Sequence, residues 1–208
     1  MNGWKQGTIK VCGVRTPEDI QACLQARVDL IGLVLVPGSK RELSLKQATV
    51  LRDLIGDQAR VVGVFMNQPY SQVYETTQAL DLDLVQLHGQ EQGRCWEQLG
   101  RPLIRRVMPS DYRRDRRASA LPLVDAGAGH GIAHPWPAAR YPEAMIAGGL
   151  TVNSVAALIE ALEPAAVDVS SGVESSPGCK SPQAIDEFCR NARIAFGQVR
   201  RAQRSSNQ

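Results

Sequence analysis

Long apolar runs are missing from this chain. No stretch approaches the ~18 consecutive apolar residues that a membrane-spanning helix requires, and the opening residues, MNGWKQGTIK, lack the apolar middle of a secretory signal. The five cysteines (Cys12, Cys23, Cys95, Cys179 and Cys189) are odd in number and show no CxxC spacing. That argues against both a disulfide framework and a zinc ribbon, and favours a reducing, cytoplasmic setting. Charge of one sign is scarce as well, with 24 basic residues against 21 acidic ones. Arg113, Arg114, Arg116 and Arg117 cluster without interleaved aromatics, so nucleic acid is not expected as a partner. Histidine is rare; His130 and His134 share a loop that carries no carboxylate, which gives no metal site to expect.

What remains is a chain of 208 residues, 43% apolar, able to bury one sizeable core. Its pattern is a repeated pair: a short apolar run, then an amphipathic segment or a longer loop. The runs are TIKVCGV (8–14), DLIGLVLV (29–36), ARVVGVFMN (59–67), LDLVQLHG (82–89), RPLIRRVMP (101–109), LPLVDAG (121–127), EAMIAGGL (143–150) and AAVDVSSG (165–172). Runs that are apolar on both sides predict parallel strands covered on both faces. Eight such units in this length predict a single (β/α)8 barrel, a TIM barrel, over 1–196. An open doubly wound sheet would carry a glycine-rich turn after its first strand, where KVCGVRTPED has one glycine. Residues 197–208 are polar and are expected to form a flexible tail.

A barrel of this kind places its chemistry at the C-terminal ends of the strands. Those ends here carry Cys12, the PGSKR loop, His88, Asp125, Gly148 and Gly149, and Asp168, Ser170, Ser171 and Gly172. The small residues after strands seven and eight suit a phosphate, because backbone N–H groups can approach it closely. A phosphorylated small molecule is therefore the expected substrate class. Cys12 suits a general base or nucleophile if neighbouring cations favour its thiolate. Arg41 can fork onto a carboxylate or be a solvated loop residue, and His88 can be a ligand contact or a structural histidine.

Taken jointly, KVCGVRTPED, IGLVLVPGSKR, VGVFMNQ, LDLVQLHGQE, AGGLTVNSV and VDVSSGVESSPGCK resemble the signature blocks of the phosphoribosylanthranilate isomerase family of tryptophan biosynthesis. The resemblance runs from near residue 9 to near residue 190 and implies a (β/α)8 barrel, as the strand count does. It further implies a cofactor-free and metal-free Amadori rearrangement of N-(5-phosphoribosyl)anthranilate, in a monomer or homodimer. Cys12 matches the family's base, Arg41 its carboxylate-binding arginine, and Asp168 an aspartate that helps organise the site. Gly148, Gly149, Ser170, Ser171 and Gly172 match its phosphate turns.

One loop departs from that pattern. Where the resemblance leads one to expect GGTGxxFDW, with a general-acid Asp before the Trp, this chain reads AGHGIAHPW and has Pro135. Proline has no proton to give and no backbone N–H. Three readings stay open at this point. His134 or His130 supplies the proton, with His134 the first choice; or the reaction has changed to a related phosphosugar; or the barrel binds a phosphorylated ligand without turnover.

Overall fold

A computed structural model describes residues 4–112, 120–125, 136 and 139–205. Eight parallel strands close into a barrel in strict chain order. They are β1 (Thr8–Cys12), β2 (Leu30–Val34), β3 (Arg60–Phe65), β4 (Leu84–Leu87), β5 (Leu103–Val107), β6 (Ala120–Asp125), β7 (Met145–Ala147) and β8 (Ala166–Val169). Closure comes from β1 pairing with β8, with Lys10 opposite Asp168. The (β/α)8 expectation holds, and each strand lies inside the apolar run read for it except β6, which begins one residue earlier, at Ala120.

Alternation along each strand divides the apolar residues between two cores. One set, including Leu30, Val62, Leu84, Ile104, Leu123 and Met145, fills the barrel interior together with Cys12. The other, including Ile9, Val11, Ile31, Val61, Val85 and Val167, packs outward against the helices. At the interior, Trp4 packs in and donates its indole N–H to Pro122 O at 3.0 Å.

Local chemistry sets the helices. The first, α1 (Pro17–Gln25), starts with Thr16 and Asp19 in a reciprocal capping box and proline at the first turn. Ser44 and Gln47 make the same box for α2 (Leu45–Ile55). Then follow α3 (Tyr70–Ala79), α4 (Val155–Leu162) and a long α5 (Pro182–Ser205). After β4 the chain forms a six-residue 3₁₀ helix, Arg94–Leu99, between two glycines of positive φ, Gly93 and Gly100, rather than an α-helix. A short hairpin, β9 (Glu174–Ser176) with β10 (Cys179–Lys180), follows β8.

The expected tail from 197 needs correcting. Residues 197–205 continue α5, because Phe188, Ala192, Ala195, Phe196 and Val199 keep the helical period and are buried. The helix packs on α4 and α1. Among the described residues no helix is long and apolar enough to cross a membrane.

Candidate active site at the barrel mouth

Three strand ends that are far apart in sequence meet in one place. Cys12 closes β1 with only 8% of its surface exposed. From the turn after β8, Ser170 Oγ donates to the carbonyl of Cys12 at 2.9 Å. Gly172 lies against the turn after β7 so closely that a Cβ there would come within 1.8 Å of Leu150 O. Gly148 and Gly149 open that turn, both at positive φ. The thiol and the two small-residue turns thus share one mouth, as their strand-end positions predict. Ser171 is exposed, and Ser170, Gly172, Gly148 and Gly149 are half-buried.

Beneath the thiol sits a buried ion pair that sequence reading passed over. Lys10 precedes Cys12 by two residues, so strand alternation turns both inward. Its Nζ donates to both carboxylate oxygens of Asp168 at 3.0 Å and also hydrogen-bonds Cys12. Burial works to push the Lys10 ammonium down, but Asp168 and Cys12 outweigh it and hold it above the usual lysine range. Burial pushes the Cys12 thiol up, and Lys10 is the main opposing influence. Here is the cation that a thiolate base needs, with Asp168 fixing its position.

Arg41 is not a solvated loop residue. Its Cδ would lie 2.3 Å from a Cβ on Gly13, which places the side chain across the residue following Cys12. Glu174 on β9 grips it bidentately, through Nε at 2.6 Å and Nη2 at 2.8 Å. Lys180 on β10 donates to the same carboxylate at 2.9 Å and to Ser170 O at 2.9 Å. Gly178 N–H supplies a further bond. Although burial opposes it, this set of donors holds the Glu174 carboxyl down at about 2. A carboxyl depressed on folding stabilises the fold above its unfolded value and loses that contribution as pH falls toward the folded one. Glu174→Gln should therefore cost roughly 3 kcal/mol at pH 7, since it leaves two cations without their counter-charge. The gap from the wild type should close between about pH 5 and pH 2 in thermal melts.

Across the mouth, His88 follows β4 and Asp125 ends β6. His88 Nε2 lies 3.4 Å from Asp125 Oδ2, with side-chain exposures of 15% and 4%. The other ring nitrogen, Nδ1, is 3.2 Å from Gln86 Nε2. Asp125 also bears on the electrostatics of Asp168, which ties this pair to the Lys10 cluster. So the mouth holds a carboxylate of its own, one that sequence reading noted at a strand end and then passed over. His130, His134 and Pro135 lie outside the described residues.

Residues 9–191 match the family model described as N-(5'-phosphoribosyl)anthranilate (PRA) isomerase. The chain belongs to this family.

Its relatives cover nearly its whole length. The N-(5'-phosphoribosyl)anthranilate isomerase of Trichlorobacter lovleyi is 35% identical over 205 residues, 90% of this chain and 98% of the relative. Among solved structures, TrpF from Jonesia denitrificans superposes with a TM-score of 0.80 at 31% identity, covering 90% of this chain and 97% of that one. A phosphoribosyl anthranilate isomerase solved in complex with reduced 1-(o-carboxyphenylamino)-1-deoxyribulose 5-phosphate gives 0.76 at 29% identity, covering 90% and 98%. Within the family's blocks, the signals for the residues passed over are plain afterwards. Lys10 and Lys180 are the lysines of KVCG and PGCK, Glu174 is the acid of SSGVE, and Asp125 ends its strand as Cys12 does.

Proposed function

We propose that the chain catalyses the Amadori rearrangement of N-(5'-phosphoribosyl)anthranilate to 1-(o-carboxyphenylamino)-1-deoxyribulose 5-phosphate, with Asp125 as proton donor and Cys12 as base. Asp125 protonates the ribose ring oxygen; the C1–O bond breaks as the anthranilate nitrogen forms a C=N bond to C1. Cys12 then removes the C2 proton, and the electron pair moves through C1 back to nitrogen, leaving an enolamine. Loss of the C2 hydroxyl proton and protonation at C1 give the ketone. Acid and base placed on one sugar make each transfer intramolecular, where positioning supplies much of the rate.

Each remaining part has a task. Arg41, oriented by Glu174, turns its other edge to the anthranilate carboxylate. Backbone of the turns at Gly148, Gly149, Ser170, Ser171 and Gly172 holds the phosphate. Lys10, fixed by Asp168, favours the Cys12 thiolate. His88 supports Asp125.

The observation that carries this reading is the meeting of thiol, arginine, small-residue turns and an acid–imidazole pair at one end of one barrel. A proton donor on β6 also removes the reason for supposing a changed reaction or a turnover-free barrel, because Pro135 is then no loss. The family's relative in Thermotoga maritima is described as dimeric, and we place this chain among monomers or homodimers with a small phosphorylated substrate. Its five free cysteines fit a cytoplasmic setting.

The test is direct. Purified protein mixed with freshly made aminoaldose should quench the anthranilate-linked fluorescence in a saturable way, and the gene should rescue an isomerase-deficient tryptophan auxotroph. Failure of both, with phosphate esters still raising the melting temperature, would overturn the catalytic reading.

A further inference from the structure

Gln86 is an expensive residue for its position. Alternation on β4 puts it on the inward face between Leu84 and His88, in a barrel layer filled by Ile104, Leu121 and Leu123. Only 2% of it is exposed. A primary amide moved there from water costs free energy unless both its ends are bonded. Yet among the described residues Oε1 is buried without a hydrogen bond, and Nε2 has one partner, His88 Nδ1 at 3.2 Å. A leucine would fill the space at lower cost, so the amide is explained by what it does to the imidazole.

An amide nitrogen can only donate, so the ring nitrogen that faces it must carry a lone pair. A neutral imidazole then bears its proton on the other nitrogen, Nε2. That nitrogen is buried and makes no hydrogen bond among the described residues, and the oxygen in front of it is Asp125 Oδ2 at 3.4 Å, an acceptor. Both ends of the ring therefore call for the same tautomer.

We propose that Gln86 is a positioning residue that fixes His88 as its Nε2–H tautomer, so that the imidazole always presents a donor to Asp125. The proposal rests on the reading of Asp125 as proton donor. As Asp125 gives up its proton, negative charge grows on its carboxylate, and an N–H that closes from 3.4 Å onto it stabilises that charge more in the transition state than before it. With the opposite tautomer, a lone pair would face the same growing charge. Gln86 thus acts on the reaction through His88 without reaching substrate.

The chain has only three histidines, so ¹⁵N-histidine labelling resolves them individually. The His88 signals are the set lost in His88→Asn. In the wild type, the neutral ring should be protonated at Nε2 and bare at Nδ1. Gln86→Met, close in volume and unable to donate, should give a mixture of tautomers. Its kcat should fall at least about tenfold, since a mis-set tautomer in a proton-transfer site costs up to about 10⁴-fold. KM should stay within about twofold, because no ground-state contact to substrate is lost. In a His88→Asn background the same change should lower kcat no further, which a purely structural role would not produce. A wild-type ring protonated at Nδ1 overturns the proposal, as does an undiminished kcat in Gln86→Met or a full second loss in the double variant. The spectrum of the wild type decides the matter even if Gln86→Met fails to fold. Full activity in Asp125→Asn would instead refute the proton-donor reading and leave the tautomer result standing.

Discussion

Cys12→Ala is expected to lower kcat by about 10³-fold, the middle of the range for losing a positioned general base. KM for the aminoaldose should hold within about threefold, because phosphate and carboxylate are gripped by other residues. The fold should survive, since the change removes one sulfur at the edge of the interior and Cys12 already has 8% exposure. The loss belongs to the chemical step, and single-turnover fluorescence decay of the aminoaldose reads that step without product release. A kcat within tenfold of the wild type would remove Cys12 from the reaction.

Lys10→Met should do two things at once. Asp168, with 8% exposure, would be left in the barrel without its counter-ion, and breaking a buried pair from one side costs about 3–5 kcal/mol. The melting temperature should drop accordingly. Independently, the Cys12 thiol would lose the main influence that opposes its burial, and so shift further upward. A base works deprotonated, so the rise of kcat/KM with pH should move to higher pH in the variant, measured well below its melting temperature. Lys10→Arg keeps the charge and should restore part of that shift, although the longer fork fits the pocket poorly. A pH profile unmoved by Lys10→Met would mean that the lysine serves the fold alone.

These two residues also mark where the sequence is legible. The eight strands are written in apolar runs with punctuation, and Cys12, Asp168 and the glycine–serine turns declare themselves by lying at strand ends. The pairs are not written there. Lys10 meets Asp168 only because β1 closes on β8, and Arg41 meets Glu174 only because the β9–β10 hairpin folds back over the mouth. Likewise His88 follows β4 and Asp125 ends β6, with β5 between those strands, and nothing local in either segment points to the other. The histidines stand out in the glycine-rich loop, while Asp125, the proposed donor, sits at the end of the strand before it. Local cues misled in two further places. The amphipathic segment expected after the fourth run has only six residues between Gly93 and Gly100 and forms a 3₁₀ helix. Polar composition near the C-terminus hides the spacing of Phe196 and Val199, which keeps α5 helical to Ser205.

Asp125→Asn set beside the paired change His130→Ala with His134→Ala is the comparison that matters most. Both variants keep Cys12, Arg41 and the phosphate turns, so their kcat values differ only by where the proton comes from. With the donor on β6, Asp125→Asn should lose about 10³-fold and the double histidine variant should stay within about threefold of the wild type. The reverse order, an active Asp125→Asn and a dead histidine pair, would move the acid into the loop and contradict the site described above.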